Sequence, residues 1–185
     1  MDIGTTAYRR FLDGDDDGLT VIIQHYKDGL ILYVNKYVNN VYVAEDLTQE
    51  TFFKLAVKKP KFREDSSFKT WLYAIARNLA IDHLRHHSKS ATLSVEEMSA
   101  YIKDETDLEN LYIDSEQKRL LHKTIRTLKA EYQQVLWLVY FESFSTDEVA
   151  RVMHKSKKQV GNLIFRAKLS LKSALEKGGL AYEKL

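Results

Sequence analysis

Asp13, Asp15 and Asp17, followed by Gly18, are spaced like the opening of a calcium-binding loop, in which alternate carboxylates turn toward one cation. The twelfth position of such a loop needs a bidentate Glu. Here it is Gln24, which also falls inside a stretch of helical apolar periodicity. Acidic residues ahead of a helix have a simpler use, capping free amides and opposing the helix dipole, and that use fits better.

His83 and His87 lie four residues apart, on one face of a helix, next to Asp82. Two histidines of one helix need at least a third metal ligand from elsewhere, whether for a bound ion or for an enzyme using Asp82, His83 and His87, and no other segment offers a clustered partner. The surrounding run from Arg77 to Lys89 is basic and opposes a bound cation, so histidines on a nucleic-acid face are the better reading. Cysteine is absent, which excludes disulfides, thiolate metal sites and cysteine nucleophiles. There is no nucleophile elbow and no phosphate-cradling glycine loop. No catalytic group and no cofactor is expected.

The most informative cluster runs from Glu148 to Val160 and has the spacing of a helix-turn-helix. Ala150 is small enough for two helices to cross above it, and Val160 returns an apolar side chain to the same core. His154 holds the turn position that favours a positive φ, and Lys155 stands where an apolar residue is usual. The second helix then presents Lys157, Lys158, Gln159, Asn162 and Arg166, a set able to touch phosphates and base edges. A plain helical hairpin shares much of this pattern.

These clusters need helices to hold them. Apolar residues form 44% of the 185, enough for a core, and one proline with seven glycines favours long helices over turn-rich sheet. Helical spacing links Leu19, Ile22, Ile23, Tyr26, Leu30, Tyr33, Val34 and Tyr37. Asn39 and Asn40 suit a turn, and a second helix is expected from about Val43 to Lys59, stopped by Pro60. After a polar loop, Ser66 or Ser67 caps a helix whose stripe is Phe68, Trp71, Leu72, Ile75, Leu79 and Leu84. The pattern fades from Ser88 to about Asp114, where beyond Lys89 seven acids face one base, Lys103. It returns at Leu120, Leu121, Ile125 and Leu128 and again at Val135, Leu136, Val139 and Tyr140. Ser145 and Glu148 form a capping box, and a last helix runs from about Lys157 to Lys177 before Gly178 and Gly179.

The expected fold is therefore all-α: two small helical domains, residues 1–88 and 116–185, joined by an acidic linker, 89–115. Net charge is only +2, but it is unevenly spread. Residues 1–57 carry nine acids against five bases, and 58–89 carry three against eight. Residues 90–150 carry twelve acids against six bases, and 151–177 one against eight. Two basic blocks are the footprint expected of a protein that touches a phosphate backbone at two places, or else two solvated helix faces. The N-terminal stretch MDIGTTAYRRFLDGDDDG is not an apolar signal, and a cytoplasmic protein without membrane insertion is expected.

Three stretches resemble the sigma factors of bacterial RNA polymerase, in particular the extracytoplasmic-function group. Ala44 to Leu55 (AEDLTQETFFKL) is similar to the family's segment for binding the polymerase clamp helices. Phe68 to Arg85 (FKTWLYAIARNLAIDHLR) is similar to the helix that meets the minus-ten promoter element. Leu136 to Leu175 is similar to the domain that reads the minus-thirty-five element. The resemblance implies a transcription initiation factor that works by adaptor binding, with core polymerase (beta-prime clamp helices and beta flap), promoter DNA and an anti-sigma factor as partners.

Residue by residue, the resemblance implies polymerase contact by Asp46, Leu47, Gln49, Glu50 and Phe53. It implies minus-ten contact by Lys61, Phe62, Arg63, Ser66, Lys69, Arg77, Asn78, His83, Arg85 and His86, with an unpaired base trapped in the loop between Pro60 and Phe68. Minus-thirty-five contact falls to Lys157, Lys158, Gln159, Gly161, Asn162, Phe165 and Arg166. Gly161 and Leu163 replace residues that are often basic in the family. Phe62 and Phe165 suit either DNA or the core, and Trp71 suits the core. The −10-like helix shows few exposed aromatics, which implies limited melting power. The linker follows the RNA channel or is an inert tether. A stand-alone helix-turn-helix regulator is the alternative reading.

Overall fold

The computed structural model describes residues 2–87 and 116–177, and among these every regular element is a helix. A first unit comprises α1 (Ile3–Leu12), α2 (Asp17–Val38), α3 (Val41–Lys58) and α4 (Phe68–His87). A second comprises α5 (Glu116–Ile125), α6 (Ala130–Tyr140), α7 (Thr146–Met153) and α8 (Lys157–Lys177). The acidic segment between them and Gly178–Gly179 lie outside the described residues.

Local chemistry sets the boundaries. Asn39 closes α2 in the left-handed region (φ 49°), and Asn40 then caps α3 by accepting from the Val43 amide at 3.2 Å. Lys59 ends α3 at φ 42°, directly before Pro60. Ser67 caps α4, its Oγ accepting from the Thr70 amide at 3.2 Å. Ser145 and Glu148 form the expected reciprocal box at the start of α7, and His154 adopts the expected positive φ, 51°.

Helix α1 has no counterpart in the sequence reading. Asp2 caps it, and Ala7, Tyr8 and Phe11 turn one stripe into the core. Gly18 has its reason here rather than in a calcium loop. A Cβ at Gly18 would lie 2.3 Å from the Ala7 carbonyl oxygen, so only glycine lets α1 and α2 cross so closely. Asp15 is likewise engaged, accepting from the Asp17 amide at 3.1 Å and pairing with Arg10 at 2.6 Å.

Two helices are buried more completely than one apolar stripe requires. In α2, Leu30 to Val34 are all buried, because α1, α3, α4 and α6 surround it. In α6, Val135 to Leu138 are all fully buried, because α7 and α8 cover one side and α2 of the first unit covers the other. The two units therefore dock through α2 on α6 and α4 on α7, and one hydrophobic cluster runs through both. Lys36 reaches the buried His122 at 2.7 Å and lies 5.2 Å from the Trp137 ring centroid, while Tyr73 meets Phe144 edge-on at 5.3 Å. No described helix is long and apolar enough to cross a membrane.

Candidate nucleic-acid interface

Helix α8 is built as a two-sided element. Val160, Leu163, Ala167, Leu171 and Leu175 recur at three- and four-residue steps and are buried against α5, α6 and α7. Between them Lys157, Lys158, Gln159, Gly161, Asn162, Phe165 and Arg166 are all exposed. Phe165 is 65% exposed and belongs to the surface, not the core. Gln159 has a second duty: its Oε1 accepts from the Ser156 amide at 2.8 Å while Ser156 Oγ accepts from its own amide at 3.2 Å. Lys157 pairs with Asp147 at 3.0 Å and Lys155 with Glu131 at 2.9 Å, which holds the turn between α7 and α8. Five of the seven outward residues (Lys157, Lys158, Gln159, Asn162 and Arg166) give a row of donors that can follow a phosphate backbone, with Arg166 able to bind guanine bidentately.

The second basic surface is the loop after Pro60 and the outward side of α4. Lys61 and Arg63 are exposed, whereas Phe62 is half-buried, 5.1 Å from Trp71 and 5.6 Å from Phe68 between ring centroids. Trp71, also half-buried, lies in the same aromatic group with Tyr8 and Tyr26 around Phe68. Helix α1 fixes the loop. Tyr8 donates to the Pro60 carbonyl at 2.7 Å, Arg9 grips Glu64 at 2.6 Å, and Asp2 accepts from the Phe68 amide at 3.0 Å. These three positioning residues escaped the sequence reading, although Asp2 as cap and the spacing of Ala7, Tyr8 and Phe11 are a helix signal. Burial holds the Tyr8 hydroxyl as a donor, its pKa pushed up to about 12.

Farther along α4, Asn78, Arg85 and His86 are exposed and His83 is half-buried. Arg85 pairs with Asp82 at 3.3 Å, a solvent-exposed contact worth at most about 1 kcal/mol. Arg77 is half-buried against the Tyr37 hydroxyl, which burial drives up in pKa and to which Tyr33 bonds at 2.8 Å. Lys54, Arg77, Asn78, Asp82, Arg85 and His154 line a cleft of about 550 Å³ between α4 and the turn of the second unit. The side chain of His87 lies outside the described residues, and among those described no three His, Asp or Glu side chains converge as metal ligands.

On α3, Asp46, Gln49, Glu50 and Phe53 share an exposed face, with Val57 continuing its apolar end. Leu47 does not belong to it. Ala44, Leu47, Thr48, Thr51 and Leu55 form the buried stripe of α3, and Leu47, 6% exposed, packs in the core with no surface for a partner. Beside the face lies a partly apolar pocket of about 320 Å³ between α2 and α3, lined by Ile23, Lys27, Ile31, Glu45, Thr48, Gln49 and Phe52. The sequence of α3 by itself gives no hint of it, since the pocket needs α2 as its second wall.

Comparisons with known proteins match two separate stretches of the chain. The family described as Sigma-70 region 2 matches residues 22–90, and that described as Sigma-70, region 4 matches residues 118–171. The chain is 29% identical over 171 residues to RNA polymerase sigma-H factor of Pseudomonas aeruginosa, covering 88% of this chain and 89% of that protein. It is 28% identical over 170 residues to the ECF RNA polymerase sigma factor SigW of Bacillus subtilis, covering 88% and 91%. Among solved structures, CnrH in complex with the cytosolic domain of CnrY superposes with a TM-score of 0.62 at 18% identity, over 95% of this chain and 96% of that one. The sigma factor RpoE in complex with the anti-sigma factor NepR, from Bartonella quintana, gives 0.58 at 19%, over 83% and 94%.

Proposed function

The chain belongs to the sigma-70 family as an RNA polymerase sigma factor of the extracytoplasmic-function group, and from that premise we propose which of its surfaces makes which contact. The exposed face of α3, carried by Asp46, Gln49, Glu50 and Phe53, docks on the clamp helices of core polymerase. The α4 surface and its preceding loop take the minus-ten element, with Lys61, Arg63, Asn78, Arg85 and His86 meeting the strands and Phe62 flanking the pocket for an unpaired base. The outward side of α8, with Arg166 at its centre, reads the minus-thirty-five element from the major groove. The protein works by binding alone, and residues 1–88 and 116–185 are its two functional units. The beta flap and an anti-sigma factor complete the set of partners.

One observation carries the assignment: all seven candidate residues of α8 are exposed on one element, opposite an unbroken buried stripe. A plain helical hairpin has no need to keep Phe165 and Arg166 in solvent. A stand-alone regulator is not favoured, because it leaves the region 2 match and the α3 face unexplained.

In vitro transcription with core polymerase on a matched template tests the reading. Wild-type protein adds promoter-specific start sites. Arg166→Ala weakens use of the upstream element by about 1–3 kcal/mol, or five- to 150-fold, while core binding survives. Charge reversal of Asp46 and Glu50 to Lys has the opposite profile, with core binding lost. Equal loss of core binding in both variants overturns the division of labour.

A further inference from the structure

We propose that Tyr37 and Tyr33 are positioning residues for promoter binding: they hold the Arg77 guanidinium, charged and not neutralised, in the cleft beside α4, where together with Lys54 it takes a phosphate of the promoter strand. This rests on the function proposed above and adds to it Tyr33, Tyr37 and Lys54, which the minus-ten assignment does not include.

Arg9, Arg10, Arg85 and Arg151 each lie within ion-pair distance of a carboxylate, that of Glu64, Asp15, Asp82 and Asp65 respectively. Arg77 differs. Among the described residues it makes no ion pair, and its partner is the hydroxyl of Tyr37. A guanidinium only donates hydrogen bonds, so the Tyr37 oxygen accepts. Tyr33 bonds that same hydroxyl at 2.8 Å, and the two rings meet edge-on with centroids 5.4 Å apart. Tyr33 in turn is fully buried, its ring 5.2 Å from that of buried Tyr73. The core therefore fixes Tyr33, Tyr33 fixes the Tyr37 hydroxyl, and the hydroxyl fixes the guanidinium. Burial raises both tyrosines in pKa, so they stay neutral and orient the charge without cancelling it.

Packing alone does not explain the arrangement. The Nε of Arg77 is buried without a hydrogen-bond partner, a loss that an apolar side chain would avoid. Local rules are broken in this way where a group serves a ligand rather than the fold. The surroundings indicate which ligand. Arg77 lines the cleft with Lys54, Asn78 and Arg85, and Asp82, the acidic residue there, is engaged by Arg85. Lys54 is half-buried on α3 and has no carboxylate partner among the described residues. Two cations without counter-charges and an amide, lining one cleft, suit a phosphate, two of whose oxygens a planar guanidinium can hold at once. Lys54 directly follows Phe53 of the polymerase-docking face, so one helix serves both partners.

Promoter affinity of the full chain bound to core polymerase, measured from about 50 to 200 mM salt, tests the assignment. Arg77→Gln keeps a donor for Tyr37 but removes the charge. Its slope of log affinity against log salt is expected to be shallower by about one, and that of Lys54→Gln by a similar amount. Tyr37→Phe keeps the ring and removes only the hydroxyl. It is expected to lower promoter affinity about fivefold in the wild-type background and less than about twofold in Arg77→Gln, because the two residues act as one unit. Should Tyr37→Phe fail to fold, Tyr33→Phe leaves Tyr37 in place and is expected to give a loss of about twofold that again vanishes in Arg77→Gln. An unchanged salt slope in Arg77→Gln or Lys54→Gln overturns the proposal. So does a tyrosine effect of equal size in both backgrounds, which is the signature of a purely structural role. If the wild-type chain with core polymerase prefers the promoter no more than random duplex, the functional reading fails and this proposal fails with it. Promoter preference that persists while the variants keep the wild-type slope sinks this proposal alone.

Discussion

Gly161 sits in the middle of α8 on its outward side, and a Cβ there would meet nothing within 4 Å. No packing reason or backbone strain demands glycine, and glycine costs a helix interior about 0.5–1 kcal/mol relative to alanine. Gly161→Ala is therefore expected to stabilise the second unit by about that amount, read as a higher midpoint in urea at unchanged slope. Gly161→Arg should keep the stability and add a phosphate contact, raising affinity for the upstream element and steepening its salt dependence. A stability unchanged or lowered by Ala would mean that the open space around this residue is filled in solution. At this scale the sequence was legible wherever one local rule decides. His154 at a left-handed turn and Ser145 with Glu148 at a cap are examples, because their geometry depends only on near neighbours. Leu47, for which the resemblance implies a polymerase contact, is buried. Its own spacing from Ala44 and Thr51 marks it as part of the buried stripe. Phe165 stayed open until the full set of neighbours of α8 was known.

Among the helices, α7 depends most on a single carboxylate. Burial pushes the Glu148 pKa up, but hydrogen bonds from the Ser145 amide and hydroxyl and from Ser67 and Thr70 outweigh it, leaving the pKa below its ordinary value. A pKa lowered in the folded state contributes stability that is fully present above the ordinary carboxylate value and is lost as pH falls through the lowered one. Glu148→Gln keeps a capping side chain but removes the charge. The melting temperature of wild type should exceed that of Glu148→Gln by a constant margin above about pH 5, and the margin should shrink toward pH 3. A margin independent of pH would show that the carboxylate is not the group that matters. Because the other oxygen of the same carboxylate accepts from Ser67 and Thr70, the acid loss should also appear as opening between the units. Seven of the eight described helices follow from apolar spacing and caps. Helix α1 escaped because its ten residues adjoin an acidic run that invites another explanation, and because its value lies in tertiary contacts to Pro60 and Glu64.

For the molecule as a whole, what the sequence could not tell is how its units sit, since no periodic pattern records which buried face meets a neighbour in its own unit and which meets the other. The continuous burial of Val135 to Leu138 was a clue, because a helix hydrophobic on consecutive positions needs covering from two sides. The second unit holds roughly 60 residues, a size at which one core rarely supplies more than about 3–5 kcal/mol. It draws on α2 of the first unit, whose Lys36 lies over the Trp137 ring, to cover α6, so its stability depends on docking. A single cluster through both units makes them unfold together, whereas units separated by an exposed tether unfold one by one. Calorimetry of the free wild type should therefore give one transition with equal calorimetric and van't Hoff enthalpies. Lys69→Glu should split it, with the second unit melting first and the first unit nearly unmoved. Two transitions in the wild type would mean that the α2 and α6 contact contributes no cooperativity. A single transition in both proteins would place the coupling in that apolar contact and leave the Lys69 pair a minor partner. The split is the stronger expectation, because Lys69→Glu exchanges the ammonium 2.7 Å from the buried Glu142 carboxylate for a second carboxylate and replaces attraction with repulsion at the seam.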